Sequence, residues 1–244
     1  MGEHDDLLER LRQTLNQQEV DSFHILEDLV PLEIQMDYFK YFDNLRKEKP
    51  SFNRDDEVSI LLSQEEDIER KKKSLTLLAS IPDVVAYRTI EAYHSNPTDK
   101  ELAYWSSMAL VSSRIILVSD LSGQQQIYIS SGLGGQDKKL RFFSLFTSNN
   151  RQEFTELQKE MIEREFTFHL NTTDVLIERF SIESNYFTIL LLFPFDEDIK
   201  SRLNSAVEEC NQYGNFLDTK FLFTNVKILN DREIKSLLKK KITY

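Results

Sequence analysis

The chain has 244 residues, with 30 basic and 41 acidic side chains for a formal charge of −11. Six glycines and five prolines exclude a collagenous or Gly/Pro-rich low-complexity chain, and 40 % hydrophobic content excludes wholesale disorder. A single cysteine, Cys210, excludes an internal disulfide and a multi-cysteine zinc site.

The opening MGEHDDLLERL lacks the basic-then-apolar layout of a secretory signal. Asp6 stands where a myristoylation pattern needs Ser or Thr. Apolar stretches such as 186–195 are too short to cross a bilayer as a helix. These features predict a soluble cytoplasmic protein that makes no membrane contact. Charge is uneven: residues 1–69 hold 19 acidic and 7 basic side chains, whereas 70–244 hold 22 and 23. The acidic quarter repels a polyanion, so no nucleic-acid partner is expected, and a basic protein surface suits it better.

In chain order, Leu7, Leu8, Leu11 and Leu15 fall at helical spacing. So do Phe23, Leu26, Leu29 and Val30, ending at Pro31, and Met36, Phe39, Phe42 and Leu45, ending before Pro50. Residues 1–50 therefore read as two or three short acidic helices, too short to be stable unless packed. Residues 51–56 read as a connection. Ser63 and Glu66 form a capping box for a helix that buries Ile68, Leu75 and Leu78 with Lys71–Lys73 toward solvent. Pro82 and Pro97 separate it from helices over 83–95 and 98–120, giving a three-helix bundle over 63–120. The last, rich in small residues (Ser106, Ser107, Ala109, Ser112, Ser113), is expected at the centre.

Beyond Gly123 the character changes. Strands are predicted at 126–130, 139–147, 174–182, 186–194 and 220–229. Helices follow the second and fourth, burying Phe154, Leu157, Met161 and Ile162, and then Ile199, Leu203, Val207 and Cys210. Asp231 opens a final short helix. The chain thus divides at 1–122 and 123–244.

The helix–turn–helix layout over 65–120 resembles HEAT-like helical hairpins, which implies a protein-binding scaffold. The order β-α-β-β-α-β over 138–229 resembles a ferredoxin-like domain, with the 126–130 strand as an extra N-terminal strand. The fold class is therefore α/β (α+β): an acidic all-helical region followed by a ferredoxin-like domain with a C-terminal helix. Strands 139–147 and 186–194 are apolar on both faces, so both faces need cover. Docking of the helical half is the favoured cover. The other is a homodimer through the open sheet face, as ACT domains and other ferredoxin-like modules form.

The candidate ligand site is Ser131, Gly132, Gly134 and Gly135 followed by Lys138, Lys139 and Arg141. Glycines let backbone N–H groups converge on an anion, and the cations would hold a phosphate or carboxylate. The same loop also reads as a glycine-rich hairpin connection with charged edges. His4, His24, His94 and His169 show no metal-ligand spacing, so no metal or cofactor is expected. Cys210 lies on an apolar stripe and reads as a buried hydrophobe. Tyr104 and Trp105 read as core, and Lys239–Lys241 is too short a basic run to indicate nucleic acid. No catalytic residue stands out. The favoured function is a non-catalytic adaptor or regulator acting through its acidic helices. The alternatives are an ACT-like sensor of a small anionic metabolite at 132–141, and an enzyme of unknown class.

Overall fold

The structure, a computed structural model, describes residues 23–124, 126–171, 174–194 and 197–240. The helix expected over 7–15 lies outside them. The fold is α+β, helices together with an antiparallel sheet. The described residues fall into two compact units, one within 18–130 and one within 131–244.

The first unit opens with β1 (Phe23–Ile25), where the spacing predicted a helix. It pairs in parallel with β2 (Ile127–Ile129), Phe23 opposite Ile127. The strand expected to extend the second unit's sheet is thus used here, and Leu26 N–H donates to the Ile129 carbonyl at 2.9 Å to prolong the pairing. Between the two strands run five helices: α1 (Leu32–Glu48), α2 (Arg54–Leu62), α3 (Ile68–Ala79), α4 (Val84–Ser95) and α5 (Lys100–Ser122). Helix α2 lies largely where a connection was expected, capped by Asn53, whose side chain accepts from the N–H groups of Asp55 and Asp56. Asp67, Asp83 and Asp99 cap the next three helices in the same way. Ser63 ends α2 rather than opening α3.

The buried face of α1 is Gln35, Tyr38, Phe42 and Leu45, while Met36 and Phe39 are exposed. Gln35 turns inward because its amide donates to the Val30 carbonyl at 2.7 Å. Helix α5 packs against α1, α3 and α4 and buries Leu102, Trp105, Met108, Ala109 and Val111. It is long and apolar enough to cross a membrane, but half of that stretch is buried inside the unit. Trp105 meets Tyr38 edge-on at 5.2 Å and donates to Thr76 Oγ1 at 3.0 Å. Lys71 and Lys72 are buried rather than solvated. The long stem of Lys72 lies along the unit with its ammonium 5.0 Å from the Trp105 ring centre, paired to Glu69 and Glu101.

The second unit contains β3 (Gly135–Gln136), β4 (Lys139–Thr147), α6 (Glu156–Asn171), β5 (Leu176–Ile182), β6 (Tyr186–Pro194), α7 (Ile199–Gln212), β7 (Leu222–Thr224) and α8 (Asp231–Lys240). The strand order is β3-β4-β6-β5, all antiparallel, with β7 also on β4. The two doubly apolar strands are the central pair, and β5 is the edge. Phe166 of α6 packs on Phe146 and Phe187 of one sheet face, each at 4.9 Å. Leu203, Val207 and Cys210 of α7 are buried.

The opposite face carries Phe143 and Leu145, with Tyr186 and Leu190 alongside. Cover that the sequence analysis did not name comes from within the unit. Ile234 and Leu238 of α8 pack there with Leu133, Ile228 and Leu229. The strongly amphipathic α8 supplies the apolar stripe that the face lacks. Asn230, not Asp231, caps α8: its Oδ1 accepts from the N–H groups of Arg232 and Glu233, and Glu233 accepts in return from the Asn230 N–H.

Candidate functional site

The glycine loop leads into a tight hairpin. Gly135–Gln136 pairs with Lys139–Leu140 across Asp137 and Lys138, both at positive φ (49° and 63°), the signature of a two-residue type I′ turn. Its polar groups face each other. Ser131 Oγ donates to the Gly134 carbonyl at 3.2 Å, and Gly134 N–H donates to the Ser131 carbonyl at 3.3 Å. Leu133 N–H donates to Asn225 at 3.0 Å, and Arg141 N–H to the Gly134 carbonyl at 3.1 Å. Lys139 pairs with Asp174 at 2.7 Å. Arg141 holds Glu178 through two bonds of 2.6 and 2.8 Å and also donates to the Leu133 carbonyl. The structure thus brings Ser131, Gly132, Gly134, Gly135, Lys138, Lys139 and Arg141 into one hairpin, with these cations and N–H groups directed at the protein's own acceptors.

At the other end of β4 lies a cleft of about 580 Å³, within the usual range of ligand pockets. Its floor is the end of β4 and the residues after it. Ser148 bridges to Leu217, and Asp218 N–H donates to the Thr147 carbonyl at 2.9 Å. Ser148 N–H donates to the Asn185 carbonyl at 2.9 Å, and Asn149 N–H to Phe216 at 2.8 Å. The strand end is therefore pinned on one side by 216–218 and on the other by the β5–β6 turn. Arg151 follows with φ of 62°, its carbonyl accepting from the Asn185 side chain. Helix α8 supplies the last wall with Lys235, Leu238 and Lys239.

The lining is Thr147, Ser148, Asn149, Arg151, Asn185, Asp218, Lys220, Lys235, Leu238 and Lys239. Among the described lining residues four cations face one carboxylate, in a unit whose 131–244 sequence holds 16 basic and 17 acidic residues. Ser148 is 5 % exposed and its hydroxyl has no hydrogen-bond partner. A buried hydroxyl without a partner costs about 1–3 kcal/mol. The arrangement is that of an anion site: cations at the rim, and amide and hydroxyl groups on the floor.

Sequence reasoning did not assemble this cleft, because its residues come from four separated segments. Two signals were present: the polar run 148–151 between a strand and a helix, and Lys235 and Lys239 one helical turn apart. Other candidates are structural. Burial pushes the Cys210 thiol up to about 12, so the thiol stays protonated. His94 sits between Asp28 (3.2 Å) and Ser106 (3.2 Å) inside the helical unit. Among the described residues no group of His, Cys, Asp and Glu is placed to hold a metal.

No protein-family model matches the chain, and no curated protein does. Among solved structures, the chain is similar to a REP-associated tyrosine transposase bound to a REP hairpin, with 14 % identity and a TM-score of 0.33 over 41 % of this chain and 63 % of that one. The chain thus spans less than two thirds of that transposase's length. It is also similar to a putative transposase from Deinococcus radiodurans R1, with 11 % identity and a TM-score of 0.34 over 44 % of this chain and 92 % of that one. The expectation of a non-catalytic adaptor with a basic protein partner and no nucleic acid is corrected on two counts. The neighbours are transposases, one of them holding a REP hairpin. And three of the acidic side chains of 1–69 on which that expectation rested are engaged within the helical unit: Asp67 as a cap, Glu57 on Arg70 and Asp28 on His94.

Proposed function

We propose that the 131–244 unit binds a phosphate-bearing ligand in the cleft at the end of β4, and that this ligand is a nucleic-acid strand. The observation that carries the reading is the lining: Arg151, Lys220, Lys235 and Lys239 around a floor of Ser148, Asn149 and Asn185. An excess of positive charge in a cleft of this size attracts phosphate, and amide and hydroxyl donors fix its oxygens. Among the described residues the lining contains no aromatic ring, which favours contact to the sugar–phosphate over base stacking. The same unit is read as ferredoxin-like. Supporting this are the order β7-β4-β6-β5, a helix between β4 and β5, and another between β6 and β7.

The test is fluorescence anisotropy of a labelled single-stranded oligonucleotide with the full chain and with the double variant Lys235→Ala/Lys239→Ala. Both lysines are exposed, so the variant keeps the fold. Wild type binds, the variant binds at least about tenfold more weakly, and the slope of log affinity against log salt falls by about 0.7 for each phosphate that the variant no longer neutralises. Equal binding by both proteins, or none by either, overturns the reading. A second reading is favoured by Asp218, the one carboxylate among the described lining residues: it acts as a general base, taking a proton from a water that attacks the phosphorus and displaces the ester's alcohol. In that case Asp218→Asn retains binding and loses turnover of the ester.

A further inference from the structure

Helix α8 serves two places at once. Its Lys235 and Lys239, exposed and one turn apart, line the cleft. Its Ile234 packs with Leu133, Phe143 and Leu145 on the second face of the sheet. Leu238 belongs to both, lining the cleft and packing against the same cluster. The hold on the sheet is slender. Among the described side chains of α8 only Ile234 is buried, at 4 % exposed, whereas Leu237 is 40 % exposed. The Asn230 cap and the ion pair of Glu233 with Lys227 fix the first turn alone. A helix of ten residues does not hold by itself in water. Arg232, Lys235 and Lys239, at successive steps of three and four residues, also set like charges against one another. Helix α8 therefore keeps its lysines spaced for the cleft only while Ile234 is seated.

We propose that α8 is a movable wall of the cleft, and that phosphate binding and the seating of Ile234 on the sheet are one linked equilibrium, with Ile234 the positioning residue for Lys235 and Lys239. The inference rests on the proposed phosphate site and adds its regulation. The ligand has the differential interaction that such a shift requires. A phosphate between Lys235 and Lys239 turns their repulsion into attraction, and only the seated helix presents the two together. Linkage makes the effect reciprocal. Whatever loosens Ile234 weakens the ligand, and the ligand in turn tightens α8 over Phe143 and Leu145.

Hydrogen exchange over 231–240 is measured in the full chain with and without a saturating single-stranded oligonucleotide. Oligonucleotide binding is then measured for Ile234→Ala, alone and added to Lys235→Ala/Lys239→Ala. The oligonucleotide is expected to slow exchange over 231–240 severalfold. Ile234→Ala, which removes no charge, is expected to weaken binding by at least about threefold, because less of the protein holds the competent helix. Added to the double-lysine variant it is expected to cost nothing more, since the contacts it positions are already gone. A merely structural fault would cost the same in both backgrounds. If Ile234→Ala melts the unit, Ile234→Val replaces it in the same cycle, and its loss must likewise vanish in the double-lysine background. Exchange unchanged by the oligonucleotide, or equal losses in the two backgrounds, overturns the inference. The proposed phosphate site then stands without it, provided that Lys235→Ala/Lys239→Ala weakens binding. No binding by wild type removes both.

Discussion

Gly132 lies against the backbone of Val226 so closely that a Cβ on it would stand 1.8 Å from the Val226 carbonyl oxygen and 2.7 Å from its carbonyl carbon. The glycine is required there by contact between two chain segments, and the adjoining bond from Leu133 N–H to Asn225 fixes the same approach. Gly132→Ala must push one segment away and disturb Leu133 in the core beneath α8. A loss of about 3 kcal/mol is expected in urea unfolding, the upper end of the cost of overpacking. Gly123, whose added Cβ meets nothing within 4 Å and whose φ is +68°, serves as the comparison. Gly123→Ala costs only the left-handed strain, about 1–2 kcal/mol.

The helical unit is expected to weaken in acid. His94 and then Ser107, by hydrogen bonding, hold the Asp28 carboxyl below its usual range against the opposing effect of burial. Burial raises Glu57, but hydrogen bonds from Arg70 and Ser74 outweigh it and leave it lowered. The Ala86 N–H lowers Asp83, with Arg54 adding to the effect. In each case the unfolded chain binds a proton more readily than the folded one. The stabilisation is therefore present above the unfolded values of about 3.9 for Asp and 4.3 for Glu, and is lost as pH falls through the lower folded values. Melting temperature followed by circular dichroism should be flat near neutrality and fall below about pH 4. Glu57→Gln should reduce that slope.

Cys210 is buried on α7, with its thiol held protonated. Folded protein at pH 8 should react with a thiol reagent only as fast as it unfolds, and urea should bring the rate to that of an ordinary cysteine. Fast labelling without denaturant would contradict the packing of α7 on the sheet.

Phe146 is the centre of an aromatic group, stacked on Phe187 at 4.7 Å and within 4.9 Å of Phe166 and 4.7 Å of Phe221. Phe146→Ala opens a cavity among residues from both central strands and from α6. A loss of about 3–5 kcal/mol is expected. Phe168, 65 % exposed on α6, should cost little by the same assay.

The central strands 139–147 and 186–194 were legible because runs apolar on both faces, bounded by turn residues, have few other solutions. Strand β1 was not. Three residues are too few to show alternation, and Phe23, Leu26, Leu29 and Val30 imitate a helical stripe. Lys71 and Lys72 misled for a different reason: a lysine counts as polar in a pattern, yet its stem packs like an apolar chain. In the candidate site, the glycine-loop residues lie in one hairpin, but sequence does not show which carboxylates meet the cations. Asp174 and Glu178, which pair with Lys139 and Arg141, come from beyond α6. The cleft at the other end of β4 draws on 147–151, 185, 218–220 and 235–239, and only the strand order brings them together.

The parallel pairing of β1 with β2 joins residues at the two ends of the helical unit, Phe23 with Ile127 and Ile25 with Ile129. Between them, α2 to α5 pack on helices next or next but one in sequence, contacts that form quickly, while α1 packs on α5. The pairing must close a loop of roughly a hundred residues, which makes it entropically late. Interactions absent from the folding transition state act on the unfolding rate. The pairing therefore acts as a clasp, governing how long the bundle stays folded rather than how fast it forms.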